Sequence, residues 1–185
     1  MAEPSATTVV HEWLGEHRLA DGRKVRFRHL RPSDEPLITA AINSASAETL
    51  LHRFFSPVRQ VSPEMLRRML RLEGGRETCI VGLVETPAGL RLICGARYVK
   101  LSTPEAAEVA ITVHDDFHRV GLGHHLLRLL ARLAVRDGVR VFTAEVLSSN
   151  EKMLHLLRKV SGGRIQGKWT GEVYHAEIPL PRLLS

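Results

Sequence analysis

What this chain has little of narrows it first. Its 185 residues include two cysteines, Cys79 and Cys94, each inside an apolar run. No disulfide framework of a small secreted scaffold can be read from them. They read as small buried hydrophobes, a usage that points to a reducing cytoplasm. Aromatic residues make up 5% of the chain. None interleaves with Arg67, Arg68 and Arg71 or with Arg128, Arg132 and Arg136 as a base-stacking platform would, so no nucleic-acid partner is expected. The longest apolar helical stretch, 122–135, carries His124, His125, Arg128 and Arg132. It is too short and too charged to span a bilayer, and no membrane partner is expected. The first residues lack the basic and apolar regions of a signal peptide, and no repeat or low-complexity segment stands out.

What is there is an ordinary globular composition, 44% hydrophobic and 25% charged. The length suits one domain with a sizeable core. Residues 1–15 read as a weakly ordered extension, 16–180 as the domain and 181–185 as a proline-broken tail. The formal charge of +6, from 26 basic and 20 acidic residues, suits nucleic acid, anionic lipid or a phosphorylated cofactor and does not choose among them.

Periodicity supplies the elements. Ala20-Asp21-Gly22-Arg23 is a hairpin signal of the type I′ kind. After it Val25, Phe27 and His29 alternate onto one face of a strand. Pro32 stops that strand, and Ser33 or Asp34 caps a helix running to about Ala45. A second helix runs from Ser46 to about Phe55. A third follows Ser62-Pro63, with proline at its first position. Three strands, over 78–84, 90–99 and 106–113, form an antiparallel meander. A helix over 122–136 carries Leu122, Leu126, Leu129, Leu130 and Leu133 on one side. It crosses over to a parallel strand at 139–147. A helix from Asn150 to about Val160 and a strand over 171–178 complete the chain.

The segment that organises these elements is Asp116-Phe117-His118-Arg119-Val120-Gly121-Leu122-Gly123-His124. A strand, a glycine turn and a helix start bring backbone N–H groups close to a ligand. The unpaired first-turn amides and the helix dipole then favour a phosphate. Glycines also serve helix starts for steric reasons alone, and on pattern the two readings stand equal. No Lys-Ser/Thr follows, so this is no P-loop. Leu126 stands where a third glycine would be, so it is no dinucleotide fingerprint either. His114, His118, His124 and His125 fall close together, but strand-end loop and adjacent helix positions do not converge as a metal needs, and no metal is expected.

These residues resemble the acetyl-CoA signature of the GNAT N-acetyltransferases. The resemblance rests on 116–123, the Leu-rich helix behind it and the later Glu145-Val-Leu-x-x-Asn150, and it runs from about Arg18 to Ile178. Within the superfamily the chain looks most like the Pat-type protein lysine acetyltransferase domains. The residues that carry this are Leu19-Ala-Asp-Gly-x-x-Val-Arg-x-Arg28-x-x-Arg-Pro-x-Asp34, Ser46-x-Glu48 with Arg53-Phe54-Phe55, and Ala107-Glu108-Val-Ala-Ile-Thr-Val-x-Asp-Asp116.

The resemblance implies an α/β (α+β) GNAT fold: a mixed, mostly antiparallel sheet with a splayed parallel strand pair, flanked by helices. It implies acetyl-CoA as cofactor. The backbone of Ile111, Thr112 and Val113 would bond the pantetheine. The amides of Arg119, Val120, Gly121, Leu122, Gly123 and His124, with His118 opening the loop, would hold the pyrophosphate. Asn150 and Met153 would line the same site. Glu108 matches a general-base position, and Glu48, Arg53, Phe54 and Phe55 would shape the acceptor entrance. The implied acceptor is an amine, first of all a protein lysine, served by a monomer or homodimer. A small-molecule amine and a catalytically weak coenzyme A sensor are the alternatives. His118 departs from the usual Gln or Arg, and Leu157 stands where many of these enzymes carry an acid tyrosine.

Overall fold

The computed structural model describes residues 13–58, 61–72, 74–163 and 165–184. Of the extension read at 1–15, residues 1–12 lie outside them. The rest is not loose, since the Leu14 amide donates to the Phe27 carbonyl at 2.8 Å.

Eight strands make one sheet in the order β1-β2-β3-β4-β5-β6-β8-β7. They are β1 (Gly15–Arg18), β2 (Lys24–His29), β3 (Glu77–Thr86), β4 (Gly89–Lys100), β5 (Ala106–Val113), β6 (Val141–Leu147), β7 (Gln166–Thr170) and β8 (Val173–Pro179). The helices are α1 (Glu35–Ser44), α2 (Ala47–Phe54), α3 (Pro63–Leu70), α4 (Leu122–Arg136), α5 (Glu151–Val160) and α6 (Leu180–Leu184). Every neighbouring pair is antiparallel except β5–β6. The expected meander and the expected parallel pair are both present.

The sheet buries two faces. On one, Leu126, Leu130 and Ala134 of α4 and Leu154 and Leu157 of α5 pack against Val25, Phe27, Ala107, Val109 and Phe142. On the other, Ile38 and Ile42 of α1 and Leu66 of α3 cover Val81 and Leu83. The split follows strand alternation, since successive side chains of β3 point to opposite faces.

The structure corrects the sequence reading at three places. β1 and β7 are strands that short, polar runs did not announce. Every residue of β7 is exposed, so it has no apolar alternation to show. The hairpin between β1 and β2 is not type I′: only Gly22 has a positive φ, of 86°. Asp21 instead accepts the Arg23 amide at 3.0 Å, an Asx-type bond that stabilises the turn without a left-handed aspartate. His29 keeps the register of Val25 and Phe27, pairing with Ile80 as Val25 pairs with Val84, but it is exposed at the strand end. Arg28 alternates onto the α1 side, opposite Val81, and is buried there with its two NH groups each 2.7 Å from an Asp34 oxygen, a bidentate pair. The segment read as a tail is α6, with Leu180 and Leu183 buried against the core.

One feature positions the site. β5 and β6 pair only at Ala106↔Val141, Ala107↔Phe142 and Glu108↔Thr143. Beyond Glu108, β5 keeps its ladder with β4 through Val113, and β6 keeps its ladder with β8 through Leu147. Each strand stays loyal to its outer neighbour, and the sheet forks. The backbone groups that would have joined β5 to β6 face the gap.

Candidate active site

The fork opens into a cleft of about 770 Å³. Its walls are β5 from Glu108 to Val113, β6 from Ala144 to Val146, the loop and first turn of α4, the start of α5, and one side of α2. Ala107 and Val109 face the α4 core. Strand alternation therefore sends Glu108, Ala110 and Thr112 toward α1 and α2.

At the far end of β5 the chain makes a 3-10 turn at Asp115–Phe117 and then the glycine loop. Arg119 and Gly121 both have positive φ, 63° and 79°. Left-handed residues alternating along a loop gather successive N–H groups into an anion-binding concavity. The two glycines serve different needs. A Cβ on Gly121 would meet nothing, so its glycine is there for backbone conformation. A Cβ on Gly123 would sit 3.2 Å from Leu156 of α5, so that glycine lets α4 and α5 approach. Gly121 precedes α4 without any side-chain cap, and Leu122, Gly123 and His124, whose first-turn amides have no partner within the helix, line the cleft end.

His118 is spent within the protein, its Nε2 donating to the Val113 carbonyl at 2.9 Å. It ties the loop to the end of β5. His124 lines the cleft. Burial, with Arg128 and Lys159 nearby, holds it below the usual histidine value. Val120 packs on the core and is not among the cleft's lining residues. Asn150 caps α5, its Oδ1 accepting the Met153 amide at 3.1 Å. The side-chain NH2 of Asn150 remains a donor at the cleft wall, where Met153 also lies. Leu157 is buried, so no acidic hydroxyl stands at that position.

The four clustered histidines go to separate places. His114 bonds Ser44 at 3.1 Å, and His125 lies against His17 and Phe27. Among the described residues no three His, Cys, Asp or Glu side chains group to hold a metal ion.

At the other end, Glu108 is exposed at the apex of the fork. Glu48, Arg53 and Phe55 of the α2 region line the cleft. Phe54 turns instead into the α1–α3 core. Burial pushes the Arg53 guanidinium below its ordinary value, with Cys79, Arg97 and Glu108 as weaker influences.

Sequence reasoning missed what holds α2 in place. Asp115 accepts the Ser46 amide at 2.8 Å, the Ser46 hydroxyl at 2.7 Å and the Thr49 hydroxyl at 2.8 Å. Burial opposes its ionisation, but these bonds outweigh that and pull its carboxyl down to about 2. Across the mouth, Glu48 pairs with Lys152 at 3.5 Å, and His52 bonds Ser149 at 3.1 Å. The only local hint was Asp115 beside Asp116. Its partners lie 66 and 69 residues away.

A forked parallel pair with a free strand edge, leading to a helix start with a left-handed loop, accommodates an extended acyl-thioester with a pyrophosphate tail. The comparisons agree. The model of the Acetyltransferase (GNAT) family matches residues 45–162. An acetyltransferase of Pseudomonas aeruginosa is 30% identical over 145 residues, 77% of this chain and 78% of that protein. The acetyltransferase Pat of Mycolicibacterium smegmatis is 33% identical over 140 residues, 74% of this chain but 40% of that longer protein. The crystal structure of the GNAT domain of S. lividans PAT superposes with a TM-score of 0.78 at 24% identity. That match covers 89% of this chain and 96% of the other; at this identity it shows the fold. The chain belongs to the GNAT family and is an acetyl-CoA-dependent N-acetyltransferase.

Proposed function

We propose that this enzyme transfers the acetyl group of acetyl-CoA directly to a protein lysine side chain in the cytoplasm, with Glu108 as general base. The observation that carries the reading is the place of Glu108. It is the last β5 residue paired to β6, and its carboxylate is exposed where the fork begins, facing α2.

The chemistry follows from that place. A lysine is mostly an ammonium at neutral pH and cannot attack until it loses a proton. Glu108 takes that proton, directly or through one water. The freed amine attacks the thioester carbon, and negative charge gathers on its oxygen. A backbone N–H of the free β5 edge near Val113 donates to that oxygen. Collapse breaks the carbon–sulfur bond, the attacking nitrogen gives up its remaining extra proton to water, and an amide and a coenzyme A thiolate result. Water carries that proton to the thiolate, since Leu157 is aliphatic and buried.

The free edge of β5, from Ile111 to Val113, would bond the pantetheine as an added strand. The amides from Arg119 to His124 would hold the pyrophosphate, with Asn150 offering its NH2 to the arm. Glu48, Arg53 and Phe55 would frame the lysine's approach.

The test is quantitative acetyl-lysine mass spectrometry on a deacetylated lysate supplied with acetyl-CoA. Wild type is expected to modify discrete lysines, and Glu108→Gln to lower their rate by about a hundredfold or more. Full turnover in Glu108→Gln sinks the base assignment. An absence of modified lysines with wild type sinks the protein-lysine acceptor.

A further inference from the structure

Beside the cleft lies a smaller cavity of about 110 Å³ between α1, α2 and strands β3 to β5. It shares Thr49, Arg53, Ala110 and Thr112 with the cleft, so the two meet where α2 faces β5. Its walls are otherwise mostly apolar, and the polar groups at the junction are unevenly spent. The Thr49 hydroxyl is committed to Asp115, and Arg97 on the cavity wall is paired with Glu77. Arg53 and Thr112 are different.

Among the described residues no carboxylate lies within 4.0 Å of the Arg53 guanidinium. Its close neighbour is the Phe54 ring, 5.2 Å away. The Thr112 hydroxyl is buried and has no hydrogen-bond partner. An unpaired, largely desolvated cation and an unsatisfied buried hydroxyl are both costly. Both offer protons, and neither has an acceptor. The group that satisfies them is an oxygen-rich anion, and the planar guanidinium fork matches a carboxylate best.

Glu108 stands on the same side of β5, two and four residues before Ala110 and Thr112. It influences Arg53 electrostatically, yet the two form no ion pair. A cation and an anion thus face one cleft without neutralising each other.

We propose that the preferred acceptor is an amine with a carboxylate close beside it, the carboxylate resting on Arg53 and Thr112 while the amine faces Glu108. For a protein lysine, this means an Asp or Glu adjacent to the modified residue. The inference rests on the amine-acceptor reading above and on Glu108 marking the amine end. It does not require the acceptor to be a protein.

The test uses two matched pairs of ligands. One pair is the terminally blocked peptides Gly-Lys-Glu-Gly and Gly-Lys-Gln-Gly. The other is Nα-acetyl-lysine and its methylamide. Dissociation constants measured calorimetrically with coenzyme A present give a readout that does not depend on turnover, and KM and kcat with acetyl-CoA follow. The carboxylate member of at least one pair is expected to bind about tenfold or more tightly, the difference appearing in KM. Arg53→Gln is expected to erase that preference and Arg53→Lys to restore part of it. Thermal melts confirm that each variant is folded.

Equal binding within both pairs, no binding by either carboxylate member, or a preference that survives in folded Arg53→Gln overturns the proposal. If only the small pair discriminates and no peptide is acetylated, the protein-lysine reading fails while this one stands. If instead succinyl-CoA outperforms acetyl-CoA in an Arg53-dependent way with no acceptor preference, the carboxylate belongs to the acyl donor. The assignment to the acceptor is then wrong.

Discussion

The two ends of the cleft are built from different materials. The end proposed for the pyrophosphate is made of backbone: the free edge of β5, the left-handed Arg119 and Gly121, and the first turn of α4. Its most prominent side chain, His118, is turned to the service of the backbone it follows. The end proposed for the acceptor is made of side chains brought from far apart, with Glu108 and Thr112 of β5 facing Arg53 on a helix that Asp115 pins in place. Backbone can read what every acetyl-CoA molecule shares. Side chains are needed to tell one acceptor from another, and they do so with charge left open for a ligand. The difference predicts that damage at one end changes which parameter fails.

The largest effect is expected at the pin. Asp115→Ala removes three hydrogen bonds to an ionised carboxylate and frees the start of α2. We expect kcat/KM for the acceptor to fall about ten- to a hundredfold, with acetyl-CoA affinity changing little. The pin also has a pH signature. The folded carboxyl ionises at about 2 against an ordinary 3.8, so its stabilisation is complete above 3.8 and is lost as pH falls from there toward 2. Thermal melts across that window should show a loss in wild type that Asp115→Ala lacks. Equal falls in acceptor and cofactor terms would break the division between the two ends.

A smaller effect, on the other term, is expected at the loop. Gly121 has a φ of 79° with open space around it. The Cβ of Gly121→Val therefore finds open space, but the variant pays roughly 1–2 kcal/mol for a left-handed β-branched residue. Relaxation of the loop out of that conformation should raise the acetyl-CoA dissociation constant by about five- to tenfold by calorimetry. Acceptor KM measured at saturating acetyl-CoA should stay put.

What was legible in the sequence follows the same division. The strand, glycine loop and long helix are local, and their spacing marks the loop and the parallel crossover behind it, while only the resemblance assigns that loop to a pyrophosphate. The leucines of α4 and the alternation of β2 likewise show their periods. The acceptor end was legible only as a set of residues near Glu48 to Phe55. Which of them reach the cleft depends on α2's rotation, and that is decided by Asp115, Lys152 and Ser149, far along the chain. Phe54 and Phe55 are adjacent in sequence, yet they part because Phe55 takes a left-handed conformation at the helix end, with a φ of 58°. β7 was invisible for another reason. An edge strand exposed along its whole length shows no apolar periodicity, and pairing with β8 alone makes it a strand.

The smallest expected effect is a slope. His124 lies below 6.5 because of burial, Arg128 and Lys159, so it is neutral at pH 7 in the free protein. A bound pyrophosphate favours its charged form, so binding takes up a proton, and coenzyme A affinity should rise as pH falls from about 7 to 5.5. His124→Asn should flatten that rise by a factor of about two to three in dissociation constant. An unchanged slope would return the phosphate end wholly to the backbone.

The most direct test of the fork as the cofactor site is amide hydrogen exchange with and without coenzyme A. Bound coenzyme A is expected to slow exchange in 109–113 on β5 and in 119–124 of the loop and first turn of α4. The β1–β2 hairpin should be unchanged. Protection confined to other segments, with the β5 edge and the loop exchanging as before, would contradict the account.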